Sequence, residues 1–145
     1  MGAADETEAP LETGRYWEMV GIETVEAVDG TATCRVDLDE RHLNYNDVVH
    51  GGVTSGLIDS AAGSAVRSLR TMEDIRERPH ATTDLHVSYL SGARGSELVA
   101  HARVIRQTRT AIFVEVDVLD ERERPVARGL TTFVITQGRP ASNGA

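Results

Sequence analysis

Residues 43–65 read LNYNDVVHGGVTSGLIDSAAGSA, and this stretch decides the fold. His50 stands directly before Gly51 and Gly52, and a run of small and apolar residues follows. Val53, Leu57, Ala61, Ala65 and Leu69 recur at four-residue spacing, with Ile58, Ala62 and Val66 beside them. That stripe is wide, so residues 52 to about 69 form one long helix, buried on most sides. A single carboxylate, Asp59, interrupts it, and a charge in such company is costly unless something uses or pairs it. A helix opening on Gly-Gly leaves backbone N–H groups free to face an anion or a developing oxyanion. The pattern points to acyl-transfer chemistry at a helix N-terminus.

The segments on either side read as strands. Residues 13–20 suit a short helix that packs Tyr16 or Trp17 on the body, and residues 21–27 suit a strand. Asp29-Gly30 is a hairpin turn signal. The next strand alternates Ala32, Cys34, Val36 and Leu38 against Thr33, Arg35 and Asp37. Asp37, Asp39 and Glu40 read as a solvated strand end, followed by a polar loop over 40–49. After the helix, residues 71–79 form a charged connection. Residues 82–90 alternate Leu85, Val87 and Tyr89 against Asp84, His86 and Ser88. Residues 97–106, 111–119 and 126–136 give three more strands in meander spacing. One antiparallel sheet curled around one helix, an α+β arrangement, accommodates this order most economically.

The chain has 145 residues, 40% of them hydrophobic, and a formal charge of −8. That size and composition suit one folded domain, expected over residues 13–137, with disordered tails at 1–12 and 138–145. No apolar stretch is long enough to span a bilayer, and the acidic N-terminus lacks the apolar segment of a signal peptide. A cytoplasmic protein with no membrane partner is expected. No basic stripe stands above the acidic background, so nucleic acid is not an expected partner. Every basic residue is arginine, which excludes a lysine Schiff base. Cys34, the only cysteine, alternates inward as a core residue. His42, His80, His86 and His101 are scattered without metal-ligand spacing, so no metal is expected. There is no G-x-S-x-G elbow, P-loop or dinucleotide fingerprint.

His50 and Asp59 are the sharp pair, set against a bland reading of helix-entry residue and buried core polar. Nine helical residues rotate by about 900° and rise about 13 Å, so the two face opposite ways and cannot easily meet within one chain. If both act on one substrate, two copies of the helix lie side by side and antiparallel. The spacing therefore predicts a two-fold dimer with active sites at its interface.

The pattern Asn44-x5-His50-Gly51-Gly52-x4-Leu57-x-Asp59 resembles the motif of hotdog-fold acyl-CoA thioesterases of the PaaI-like (phenylacetyl-CoA) group. The resemblance continues through residues 82–90 (TTDLHVSYL) and 104–110 (VIRQTRT), and so spans roughly 21–135. It implies a sheet wrapped around a central helix, in homodimers or dimers of dimers. It also implies hydrolysis of an acyl-CoA thioester, with coenzyme A part of the substrate and no further cofactor. By position, Asp59 is the general base or the nucleophile, and Gly51 N–H stabilises the oxyanion. His50 orients or polarises the thioester, Asn44 holds the loop or the water, and Thr82 helps position the water. Asp59 and Thr82 act with Asn44, His50 and Gly51 of the other subunit.

The resemblance runs the nucleotide along Tyr89, Ser91, Gly92 and Arg94 and the turn of Arg106, Gln107, Thr108 and Arg109. Arginine forks there suit phosphate oxygens. The acyl pocket is expected between subunits, from residues such as Val48, Val53, Leu57 and Ser60. Asp47 departs from the family pattern, where glycine is frequent three residues before His50. It either brings a second carboxylate near the site or faces solvent in the loop. Two other readings stand beside the thioesterase. A hotdog hydratase or dehydratase usually carries a proline-rich loop before the helix, and no proline lies there in this chain. A non-catalytic acyl-CoA-binding module is the other.

Overall fold

The computed structural model describes residues 14–138; the two expected tails, apart from Gly138, lie outside them. A short helix α1 (Arg15–Val20) leads into β1 (Ile22–Val28) and β2 (Thr31–Asp37). The central helix α2 (Gly51–Arg67) and a short α3 (Met72–Glu77) follow, then β3 (His80–Tyr89), β4 (Glu97–Gln107), β5 (Ala111–Asp120) and β6 (Pro125–Ile135). The six strands form one antiparallel sheet in the order β1-β2-β4-β5-β6-β3, and α2 packs against every one of them. This is the hotdog arrangement expected from the sequence.

The alternation read in the strands places the core. Ala32, Cys34 and Val36 of β2, and Ile112, Val114, Val116 and Val118 of β5, are all buried against Leu57, Ile58, Ala61, Ala62, Ala65 and Val66 of α2. Each large aliphatic side chain buried this way contributes roughly 1.5–3 kcal/mol. The β1–β2 turn takes positive φ at both Asp29 (48°) and Gly30 (81°), the geometry that suits a twisted two-residue hairpin.

Among the described residues two buried side-chain atoms are left unsatisfied, Arg78 Nε and the Thr131 hydroxyl. Thr131 of β6 is 1% exposed, and its hydroxyl has no hydrogen-bond partner. Thr131→Val keeps the shape and removes the orphan, so it is expected to stabilise the protein by about 1–2 kcal/mol. A chemical denaturation midpoint checks this; an unchanged or lower midpoint contradicts it.

Two loop readings need correction. The 40–49 loop opens with a 3-10 turn (Glu40–His42), capped by Asp39, whose carboxylate accepts from Arg41 N–H. Asp39 is thus a cap as well as a strand end. His42 is held in place within this loop. It is 3% exposed, accepts from Asp39 N–H at Nδ1 and donates from Nε2 to the Val20 carbonyl (2.6 Å), tying α1 to this loop. The 71–79 connection contains α3, because the Thr71 hydroxyl caps it by accepting from Asp74 N–H.

Arg70 staples that connection to the sheet. Its guanidinium donates to the Asp74 and Arg78 carbonyls and to His80 Nδ1. Burial, with the Arg70 and Arg67 cations nearby, pushes the His80 imidazole down to about 4. Between pH 6.5 and 4 the unfolded chain takes up a proton that the folded chain refuses, so stability rises with pH across that window. The contribution is complete above pH 6.5 and is lost as pH falls towards 4. Melting temperatures measured from pH 7 to pH 5 should fall for the native protein and fall less for His80→Phe. Equal slopes would contradict the assignment.

Candidate active site

Asp59 projects from the middle of α2 beside β3. Thr82 Oγ1 donates to Asp59 Oδ1 at 2.8 Å, which gives the carboxylate a fixed partner. A local irregularity makes the contact possible. The β3–β6 register shifts between Thr82 and Asp84, with Thr82 opposite Phe133 and Asp84 opposite Thr132. Counting back from Leu85 by simple alternation would aim Thr82 away from the helix; the bulge turns it inward.

His50 caps α2. Its Nδ1 accepts from Gly52 N–H at 2.9 Å, and its own backbone N–H donates to the His42 carbonyl at 2.8 Å. An accepting Nδ1 places the neutral ring's proton on Nε2, which is then the donor available to a ligand. Gly51 N–H, at the first helical position, has no intrahelical acceptor. The Tyr89 hydroxyl donates to the Gly51 carbonyl at 2.8 Å. A Cβ on Gly51 would lie 3.2 Å from that phenol oxygen, which is why glycine suits this position.

Asn44 holds the loop before the helix. Its side-chain carbonyl accepts from Asn46 N–H and Val48 N–H, and its backbone N–H donates to the Val48 carbonyl. Asp47 adopts a left-handed φ of 57° within that loop and is exposed. A glycine takes that backbone conformation at little steric cost, whereas aspartate tolerates it. Of the two expectations for Asp47, its exposure in this chain fits the solvent-facing one.

A cavity of about 490 Å³ opens at the helix tip, lined in part by Val48, Gly51, Gly52, Tyr89, Ser91 and Gly92. Ser91 is anchored there by donating to the Pro125 carbonyl. Of the residues expected to line an acyl pocket, Val48 reaches this cavity. Leu57 and Ser60 are buried, so they pack the helix into the body. Thr108 shapes the β4–β5 turn, its hydroxyl accepting from Ala111 N–H. Arg94, Arg106, Gln107 and Arg109 are exposed.

The expected site residues thus separate into two groups at opposite ends of β3. Thr82 and Asp59 lie near its start, and the β4–β5 turn reaches the same end, since Ile135 pairs with His80 and donates to the Thr110 carbonyl. Tyr89, Gly51, His50 and the cavity lie at its finish. Tyr89 lies seven residue steps along the strand from Thr82, about 23 Å. Within one protomer, residues 89–94 and 106–109 cannot both touch one nucleotide.

Residues 46–127 match the family model described as the thioesterase superfamily. The chain belongs to that superfamily. Acyl-coenzyme A thioesterase 13 of Homo sapiens is 29% identical over 119 residues, covering 81% of this chain and 76% of that protein. A conserved protein of Pseudomonas aeruginosa superposes with a TM-score of 0.79 at 28% identity, covering 85% of this chain and 94% of that one. The PaaI protein from the phenylacetic acid degradation operon of E. coli superposes with a TM-score of 0.75 at 18% identity and shares the fold, covering 85% of each chain. The resemblance read in residues 43–65 is borne out at the level of the superfamily: this is a hotdog-fold thioesterase, a thioester hydrolase.

Other groups of the thioesterase are placed away from chemistry. Burial raises the Cys34 thiol above its ordinary value, which suits a core residue and not a nucleophile. Among the described residues no three His, Cys, Asp or Glu side chains are grouped to hold a metal, and no helix is long and apolar enough to cross a membrane. Sequence reasoning missed the contacts of Tyr89 and His50 on the Gly51–Gly52 peptide. Only the pairing of β3 beside α2 brings them together, and no spacing in the chain signals it.

Proposed function

We propose that the protein hydrolyses acyl-CoA thioesters to the free acid and CoA at sites shared by two protomers. Asp59, steadied by Thr82, serves as general base. It takes a proton from water as the water oxygen bonds to the thioester carbonyl carbon. The oxyanion rests on Gly51 N–H and His50 Nε2–H of the other protomer. The C–S bond then breaks, and CoA leaves as thiolate. Asn44 keeps the loop that carries His50 in place.

The separation of the two groups along β3 carries this reading. β3 ends the sheet order and, among the described residues, its ten-residue outer edge is unpaired, with Leu85 38% and Tyr89 55% exposed and Leu90, just beyond it, 58%. Such an edge invites another strand. A second copy running antiparallel, with the two-fold between Leu85 and His86, sets Thr82 of each protomer beside Tyr89 of the other. The same operation brings Asp59 to the neighbour's helix tip and carries Arg106 and Arg109 towards the neighbour's 89–94 segment, where phosphates of CoA would meet Arg94. The name of the human relative and the matched family support the acyl-CoA substrate.

Free-thiol release from phenylacetyl-, hydroxybenzoyl- and straight-chain acyl-CoAs tests the proposal. Turnover of at least one is expected. Binding of the whole panel without thiol release would replace the hydrolase by an acyl-CoA-binding module.

A further inference from the structure

We propose that Tyr89 is a positioning residue for catalysis, acting through one peptide group and not as a nucleotide contact. The inference rests on the site proposed above and assigns Tyr89 a different role from the one implied by family resemblance.

The Gly51–Gly52 peptide is held at both ends. Tyr89 Oη donates to its carbonyl at 2.8 Å, and its N–H donates to His50 Nδ1 at 2.9 Å. These bonds form one chain, from phenol through peptide to imidazole. Hydrogen bonds in series polarise one another, so the Tyr89 bond strengthens the Gly52 N–H as a donor to His50. That bond in turn holds the tautomer with the proton on Nε2 and fixes the ring plane. Gly51 has soft dihedrals, and the direction of its own N–H depends on how this peptide plane is held. The phenol lies against Gly51 so closely that a methyl group there would press on it. Tyr89 stands on β3 and His50 at the start of α2, so the bond also sets the helix tip against the edge strand. The two donors aimed at the thioester oxygen share one anchor.

Tyr89→Phe removes the hydroxyl and keeps the ring. The expected result is a fall in kcat of about tenfold, with KM and inhibition by free CoA within twofold of the native values. A double-mutant cycle with His50→Ala should be markedly less than additive in kcat, because both substitutions break the same chain. Tyr89→Ala, compared by thermal melting, separates loss of the ring from loss of the hydroxyl. A raised KM and weaker inhibition by CoA with kcat unchanged would make Tyr89 a nucleotide contact and overturn the proposal. So would full additivity with His50→Ala, or no change in any parameter. Asp59→Asn, assayed in parallel, distinguishes the two readings. If it retains turnover the site itself is misassigned, whereas if it is inactive and Tyr89→Phe is unaffected only the positioning role fails.

Discussion

Asp59→Asn is expected to lower kcat by about a thousandfold while leaving the protein folded. Asparagine keeps the size of the side chain and still accepts from the Thr82 hydroxyl, which in the native protein reaches Asp59 Oδ1 at 2.8 Å. It removes the negative charge and the ability to take a proton from water. Asp59 lies on the side of α2 beside β3, whereas Leu57, Ile58, Ala61 and Ala62 fill the core, so packing is left alone. Thermal melting should therefore shift by only a few degrees, and inhibition by free CoA should persist. A loss of less than tenfold in a folded variant would remove Asp59 from the chemistry.

The second large effect concerns assembly. Asp59→Asn and His50→Ala homodimers should each be nearly inactive, the first for want of a base and the second for want of an oxyanion donor. A heterodimer of one subunit of each kind, isolated through two different affinity tags, contains one site with both defects and one with neither. It should show about half the native activity per dimer, because each site takes its base from one protomer and its helix tip from the other. The physical reason is the span of about 23 Å between Thr82 and Tyr89 along β3. If the heterodimer is as inactive as its parents, base and oxyanion donors come from the same chain and the shared-site proposal fails.

Much of the fold was legible in the chain. Alternation in β2 and β5 placed Cys34, Val36, Ile112 and Val116 in the core, because strand periodicity is imposed by backbone geometry alone. The four-residue apolar spacing of α2 and the Asp29-Gly30 turn were equally plain, for the same local reason. The candidate site was legible as residue types, His50-Gly51-Gly52 and Asp59, and as the argument that one helix cannot bring them together. What escaped was of two kinds. Short capped turns, such as α3 behind Thr71 and the turn behind Asp39, depend on one side chain finding one backbone N–H. Cross-element contacts, such as Tyr89 on Gly51 or Arg70 on His80, depend on segments far apart in sequence.

The sequence by itself determined the helix, the strands, the buried faces and the family, since each is written in local periodicity and a contiguous motif. Tertiary structure alone decided that Thr82 faces Asp59. A one-residue bulge at Thr83 inverts the alternation there, and its presence depends on how β3 registers with β6. The fold also set β3 at the sheet edge with one group of site residues at each end. Strand order follows from which surfaces pack together across the whole chain, and no local pattern encodes it.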